Sequence, residues 1–304
     1  MNADRHEGVD QSAAVKPTPA SDDAVRAALN HAALIELRFE DRRVLLAPHV
    51  GGAIAVFYDL PDDGGSSHGA LHWLRSVSAE ALAAYNPLGM ASFSVAAVLQ
   101  LAARRAFCFR EVDLSADGNA FDHALHGHAW RRPWRVGSVS PTMVELHLDH
   151  EPGSEPAHHW PYRYEATQSF ELDNSGLFVT MSIRNLADQP MPFGMGHHPY
   201  YPRTPATRIH TNVRAMWHAT QDLLPTLLGA YPIDALASPE GLPADAYDLD
   251  NNFAGWSRSA TIDWPDERRS VTLYADAPFD HMVLYAPGPA VRGACNEYGG
   301  FPEP

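Results

Sequence analysis

Three short stretches gather the side chains best suited to moving protons near neutral pH. The first is His123-Ala124-Leu125-His126-Gly127-His128-Ala129-Trp130, followed by Arg131-Arg132-Pro133-Trp134. The second is Gly194-Met195-Gly196-His197-His198-Pro199-Tyr200-Tyr201, and the third is Cys295-Asn296-Glu297. Imidazoles and carboxylates serve as general acids and bases because modest changes in surroundings bring their charge change to working pH. A histidine beside glycine lets backbone approach a bound molecule, and nearby Trp or Tyr supplies a flat apolar wall. A sugar offers a matching surface, with CH faces rimmed by hydroxyls that need hydrogen-bond partners. Each stretch also has a plainer reading. A His-Gly pair is commonly a turn, and an aromatic-proline loop commonly only packs. His123, His126 and His128 could instead share a metal, but no distant fourth ligand is identifiable, so none is expected. His158-His159-Trp160 reads as a solvated loop before a strand.

The elements that must position these groups read as strands. Ile35, Leu37 and Phe39 alternate with Glu36, Arg38 and Glu40, and Val144, Leu146 and Leu148 alternate with Glu145, His147 and Asp149. Tyr162, Tyr164, Phe170 and Leu172 share one parity. Asp173-Asn174-Ser175-Gly176 then supplies turn chemistry, after which Leu177, Val179, Met181 and Ile183 resume the alternation, which predicts a β-hairpin. Twenty-five prolines, scattered with Gly and Asp, break up any long helix. Short helices are expected near Ala79–Ala84 and Tyr231–Ala237. Met90–Phe109, rich in Ala and Leu, reads as an amphipathic helix lying on the sheets. The fold class is all-β, a large antiparallel β-sandwich in preference to a barrel.

Composition narrows the partners. The 304 residues fit one large β domain, and a formal charge of -15 argues against nucleic acid or an anionic membrane as partner. No run approaches the roughly 20 apolar residues of a membrane-spanning helix. Met1 to Asn30 is polar, without the basic start and apolar stretch of a secretory signal, and is expected to be a disordered leader. Two cysteines, Cys108 and Cys295, give no disulfide framework, so a reducing, cytoplasmic setting is expected.

From Leu34 to Glu297 the order of segments resembles the aldose 1-epimerase (galactose mutarotase) family. Pro48-His49-Val50-Gly51-Gly52 is similar to its opening strand and turn, and Leu74-Arg75 to the end of an early strand. Leu125 to Trp134 resembles its Leu-His-Gly segment, and Pro192 to Tyr201 its second histidine motif. Asp250-Asn251-Asn252-Phe253-Ala254-Gly255-Trp256 and Ile262-Asp263-Trp264-Pro265 resemble later landmarks. The resemblance implies a galactose mutarotase-like supersandwich over residues 31–304, acting without cofactor on a free hexose, as monomer or homodimer. It implies that His198 protonates the ring oxygen, His126 holds the sugar and assists, and Glu297 is the general base. It also implies sugar contacts from His128, Trp130, Tyr200, Asp250 and Arg75.

Two stretches depart from the family pattern. Gln100 and Leu101 stand where the family carries a Pro-x-x-Asn-Arg strand, while the flanks match. That contrast leads to the expectation of a local reading-frame disturbance, which sequencing the coding DNA tests. After Glu297 the chain continues as Tyr298-Gly299-Gly300 and stops at Pro304, where the family has Pro and a further strand. The alternatives to a hexose epimerase are a sugar-phosphate epimerase using Arg131, Arg132 and Arg203, and a carbohydrate-binding relative without catalysis. A metal-dependent β-barrel enzyme using His123, His126 and His128 is the remaining alternative.

Overall fold

The computed structural model describes residues 34–60, 70–75, 77, 90–96, 129–152, 162–191, 193–219, 225–230 and 233–286. The first sheet is built from β1 (Ile35–Phe39), β2 (Arg42–Ala47), β3 (Ala53–Asp59), β4 (Leu71–His72), β5 (Ser92–Ala96) and β10 (Met195–Pro199). Its order is β1-β2-β3-β5-β10, with β4 attached to β3. The second sheet is a meander of β6 (Arg135–Val139), β7 (Met143–His150), β8 (Tyr164–Leu172) and β9 (Leu177–Asn185). These two sheets form one sandwich. Leu37, Val44, Leu46 and Ile54 meet Val144, Leu146, Leu148, Tyr164 and Phe170 between them.

A second sandwich follows in the chain. One sheet runs β14 (Leu242–Pro243), β11 (Arg208–Thr211), β16 (Ser259–Trp264) and β17 (Arg269–Tyr274). The other runs β13 (Pro225–Gly229), β12 (Ala215–Ala219), β15 (Leu249–Ala254) and β18 (His281–Ala286). Ile209, Leu242, Ile262 and Trp264 pack against Met216, Leu249, Phe253 and Ala286, with Leu236 of helix α1 (Ile233–Ala237) beside them. Tyr201 packs against the cores of both sandwiches.

Local chemistry explains most of these elements. β7 and β8 alternate buried and less buried residues, as strands with one face on a core must. The β8–β9 hairpin forms around Asp173, whose carboxylate accepts from the Ser175 and Gly176 backbone N–H groups and holds the turn. β2 and β3 do not alternate, because the first sheet is covered on both sides. Leu45, Ala47, Ala53 and Ala55 form a second cluster on its other face with Val77, Met90 and Trp130.

Helix α1 falls within the expected 231–237 stretch, whereas the residues of the expected 79–84 helix lie outside those described. The helix expected over Met90–Phe109 is corrected where the structure describes it. Ser92–Ala96 is strand, joined to β10 with His198 opposite Phe93 and His197 opposite Ser94. Helix propensity is worth only tenths of a kcal/mol per residue. Open strand edges on both sides of this segment, at β3 and β10, offer backbone bonds that outweigh it. Among the described residues no helix is long and apolar enough to cross a membrane.

Candidate active site

The second histidine motif becomes a strand, the last in its sheet among the described residues, and its parity sorts its side chains. His198 and Tyr200 share one side of the chain and stack, with ring centroids 4.6 Å apart and planes 30° from parallel. His197 faces the other way. Burial pulls its imidazole down to about 4, so it stays neutral at ordinary pH. Only one of the two adjacent histidines is therefore placed to meet a ligand on the Tyr200 side.

Arg75 reaches the same spot from a distant part of the sequence. Its backbone N–H donates to the Tyr200 carbonyl at 2.8 Å, and the Tyr200 N–H donates to the Ala91 carbonyl at 2.9 Å. These bonds extend the first sheet and fix both residues on one backbone framework. The Arg75 guanidinium lies 4.1 Å from the Tyr200 ring centroid and donates to the Met90 carbonyl at 3.0 Å. A delocalised guanidinium stacked on an aromatic face is held flat and loses little further freedom when it binds an oxygen. Burial lowers the Arg75 pKa from its usual value, an effect opposed by Tyr200.

Burial also raises the Tyr200 phenol to about 12; Arg75 opposes that rise and Asp250 adds to it. The hydroxyl is thus a neutral donor and acceptor throughout the working range. Asp250 sits on β15, opposite Tyr285 of β18, and brings its charge within electrostatic range of the Tyr200 ring. Desolvation raises its pKa, and Asp248 adds like-charge repulsion. Its side chain nonetheless keeps solvent contact, and its carboxyl oxygens can accept sugar hydroxyls.

Trp130 lies under this group more than in it. It is only 4% exposed, packs with Met90 and Val77 beside Tyr200, and carries the Arg131 guanidinium 4.9 Å from its ring. Its turn, Ala129–Arg131, is seated on Gly51. The Gly51 N–H donates to the Arg132 carbonyl at 3.1 Å, and the Trp134 N–H donates to the Pro48 carbonyl at 2.7 Å.

The structure therefore gathers His198, Tyr200, Arg75 and Asp250, with Trp130 as their floor. His126, His128 and Glu297, together with His123 and the rest of the 97–128 stretch, lie outside the described residues. Among the described residues no group of three or more His, Cys, Asp or Glu is disposed to hold a metal. The neutral role of His197 was missed in the sequence, although strand parity in a His-His pair is the signal that separates the two rings.

Paired sandwiches with a histidine-aromatic-arginine cluster where they meet define a galactose mutarotase-like supersandwich. The chain belongs to the aldose 1-epimerase family, whose sequence profile matches residues 83–302. Its sequence is 29% identical over 181 residues to the uncharacterized protein YphB of Escherichia coli K12, a match covering 60% of this chain and 60% of that protein. The fold is similar to an E. coli K12 crystal structure provisionally described as an aldose 1-epimerase, with TM-score 0.67 and 23% identity over 86% of this chain and 84% of that one. It is also similar to a galactose mutarotase-like protein from Clostridium acetobutylicum, with TM-score 0.66 and 16% identity over 83% and 80% of the two chains.

Proposed function

We propose that the protein is an aldose 1-epimerase that interconverts the α and β anomers of a free hexose by general acid-base catalysis. The observation that carries this reading is the convergence of His198, Tyr200 and Arg75 on one framework, with the Asp250 charge beside them, in a chain of this family. Glu297 takes the proton of the anomeric hydroxyl while His198 delivers one to the ring oxygen. The bond between C1 and the ring oxygen breaks, the aldehyde turns about the C1–C2 bond, and reclosure with the proton transfers reversed gives the other anomer. His126 and His128 hold the ring, Arg75 and Asp250 take its hydroxyls, and Tyr200 and Trp130 supply the apolar side. Each positioned acid or base contributes about 10²–10⁴-fold. Mutarotation already proceeds in water, so such help is sufficient.

A phosphorylated sugar would need cations converging on the site. Of the arginines weighed for that role, Arg131 lies on Trp130 and Arg203 donates to the Ala244 carbonyl at 3.3 Å. Comparing glucose with glucose 6-phosphate in the assay below separates the two substrate classes.

Polarimetry on freshly dissolved α-glucose and α-galactose tests the reading. The wild-type protein is expected to accelerate mutarotation, and His198→Asn and Glu297→Gln are each expected to abolish most of that acceleration. Sugar binding without any acceleration would sink the enzyme and leave a carbohydrate-binding protein.

A further inference from the structure

We propose that Gln168, buried in the core of the first sandwich, is a positioning residue for the sugar site, because it holds the Gly51-Gly52 turn on which the Trp130 turn is seated. This rests on the hexose reading above and adds to it the residue that fixes the apolar floor.

Gln168 stands out among its neighbours. Strand parity sends Tyr164, Ala166, Phe170 and Leu172 of β8 into the first core, and Gln168 goes with them, wholly buried. A leucine there would continue the apolar surface and need no partner. One half of the amide is poorly served, since its oxygen finds no hydrogen-bond partner among the described residues. Buried acceptors of that kind are uncommon and destabilise a fold. The reason for the residue therefore lies in the other half.

That half crosses the sandwich. Its Nε2 donates to the Gly52 carbonyl at 3.2 Å and, at greater length, to the Gly51 carbonyl at 3.5 Å, in the turn between β2 and β3 of the facing sheet. Both glycines are buried, so their carbonyls need a donor from within the protein. The approach is close. A Cβ on Gly52 would stand 1.8 Å from Nε2, so the turn is shaped around this amide. The Gly51 N–H in turn donates to the Arg132 carbonyl at 3.1 Å, just beyond the Ala129–Arg131 turn. Gly51 is thus held at its carbonyl by Gln168 and holds the Trp130 turn by its N–H.

The Trp130 turn matters to the site in two ways. Trp130 packs with Val50, Val77 and Met90 in a cluster that Tyr200 joins, and the Met90 carbonyl accepts from the Arg75 guanidinium. A turn freed from Gln168 lets the indole shift beneath Tyr200 and Arg75. His128, a sugar contact in the reading above, directly precedes Ala129 in the chain.

Steady-state mutarotation of galactose and glucose tests the role. Gln168→Met keeps the length of the side chain and removes the donor, and is expected to raise KM about tenfold, the worth of one well-placed aromatic contact. A residue that merely filled the core would alter the folded fraction, which scales kcat and leaves KM alone. Gln168→Asn, whose amide falls one methylene short of the turn, decides the matter if Gln168→Met does not fold. Calorimetric titration of galactose into the same proteins gives a readout free of catalysis. If the wild type binds galactose without accelerating mutarotation and the variants bind about tenfold more weakly, the positioning role stands and the epimerase reading falls. If hexoses are epimerised and the variants keep the wild-type KM, the positioning role falls and the epimerase stands. A wild type that neither binds nor epimerises a hexose overturns both.

Discussion

The two adjacent histidines of β10 do different work because a strand sends neighbours to opposite faces. His198 stacks on Tyr200 and meets the candidate site, whereas His197 is half-buried on the other side and held neutral, burial lowering its pKa to about 4. That difference has a sign in pH. An unfolded chain protonates its histidine as pH falls through 6.5, but the folded chain resists until about 4. Stability present above pH 6.5 is therefore lost as pH drops from 6.5 toward 4. Urea unfolding at steps across that window is expected to show the decline, and His197→Gln to flatten it. An equally steep decline in the variant would place the acid sensitivity elsewhere.

At the scale of elements, the seat of the site is a turn between β2 and β3. Gly51 and Gly52 both hold positive φ, at 67° and 64°. A Cβ on Gly51 would stand 1.9 Å from the Trp130 carbonyl oxygen, so alanine there strains the backbone and pushes away the turn that carries Trp130. Gly51→Ala is expected to cost about 1–3 kcal/mol and lower the melting temperature by several degrees. An unchanged melt would show that the two turns can separate freely. The same scale shows what could be read in the sequence. The β8–β9 hairpin was legible because one face of each strand meets a core and the turn carries Asp-Asn-Ser-Gly. β5 was not, because its Ala-rich, apolar neighbourhood resembles a helix and its pairing with β10 is a contact between remote segments. The family motifs pointed to His198, Tyr200, Arg75 and Asp250 one at a time. Their meeting depends on backbone bonds from Arg75 to Tyr200 and from Tyr200 to Ala91, for which no local pattern exists.

Across the whole molecule, the two sandwiches are fastened beside the site. The Trp264 indole, fully buried in the second core, donates to the Pro202 carbonyl at 2.9 Å. The Arg269 guanidinium lies 4.1 Å from the Trp264 ring centroid and donates to the His72 carbonyl at 2.7 Å, tying β17 to β4. Tyr201, between Tyr200 and Pro202, touches both cores. One peptide unit thus separates the ring proposed to meet substrate from the ring that joins the halves. Sugar binding is expected to slow amide hydrogen exchange at Tyr201 and Arg203 more than at the distant β8–β9 hairpin, and equal slowing at both would refute the connection. If a sugar is held against Tyr200, its neighbour Tyr201 is expected to carry that restraint into the join between the two cores. By the same reasoning, any sliding of one sandwich past the other would disturb the stacked tyrosine first.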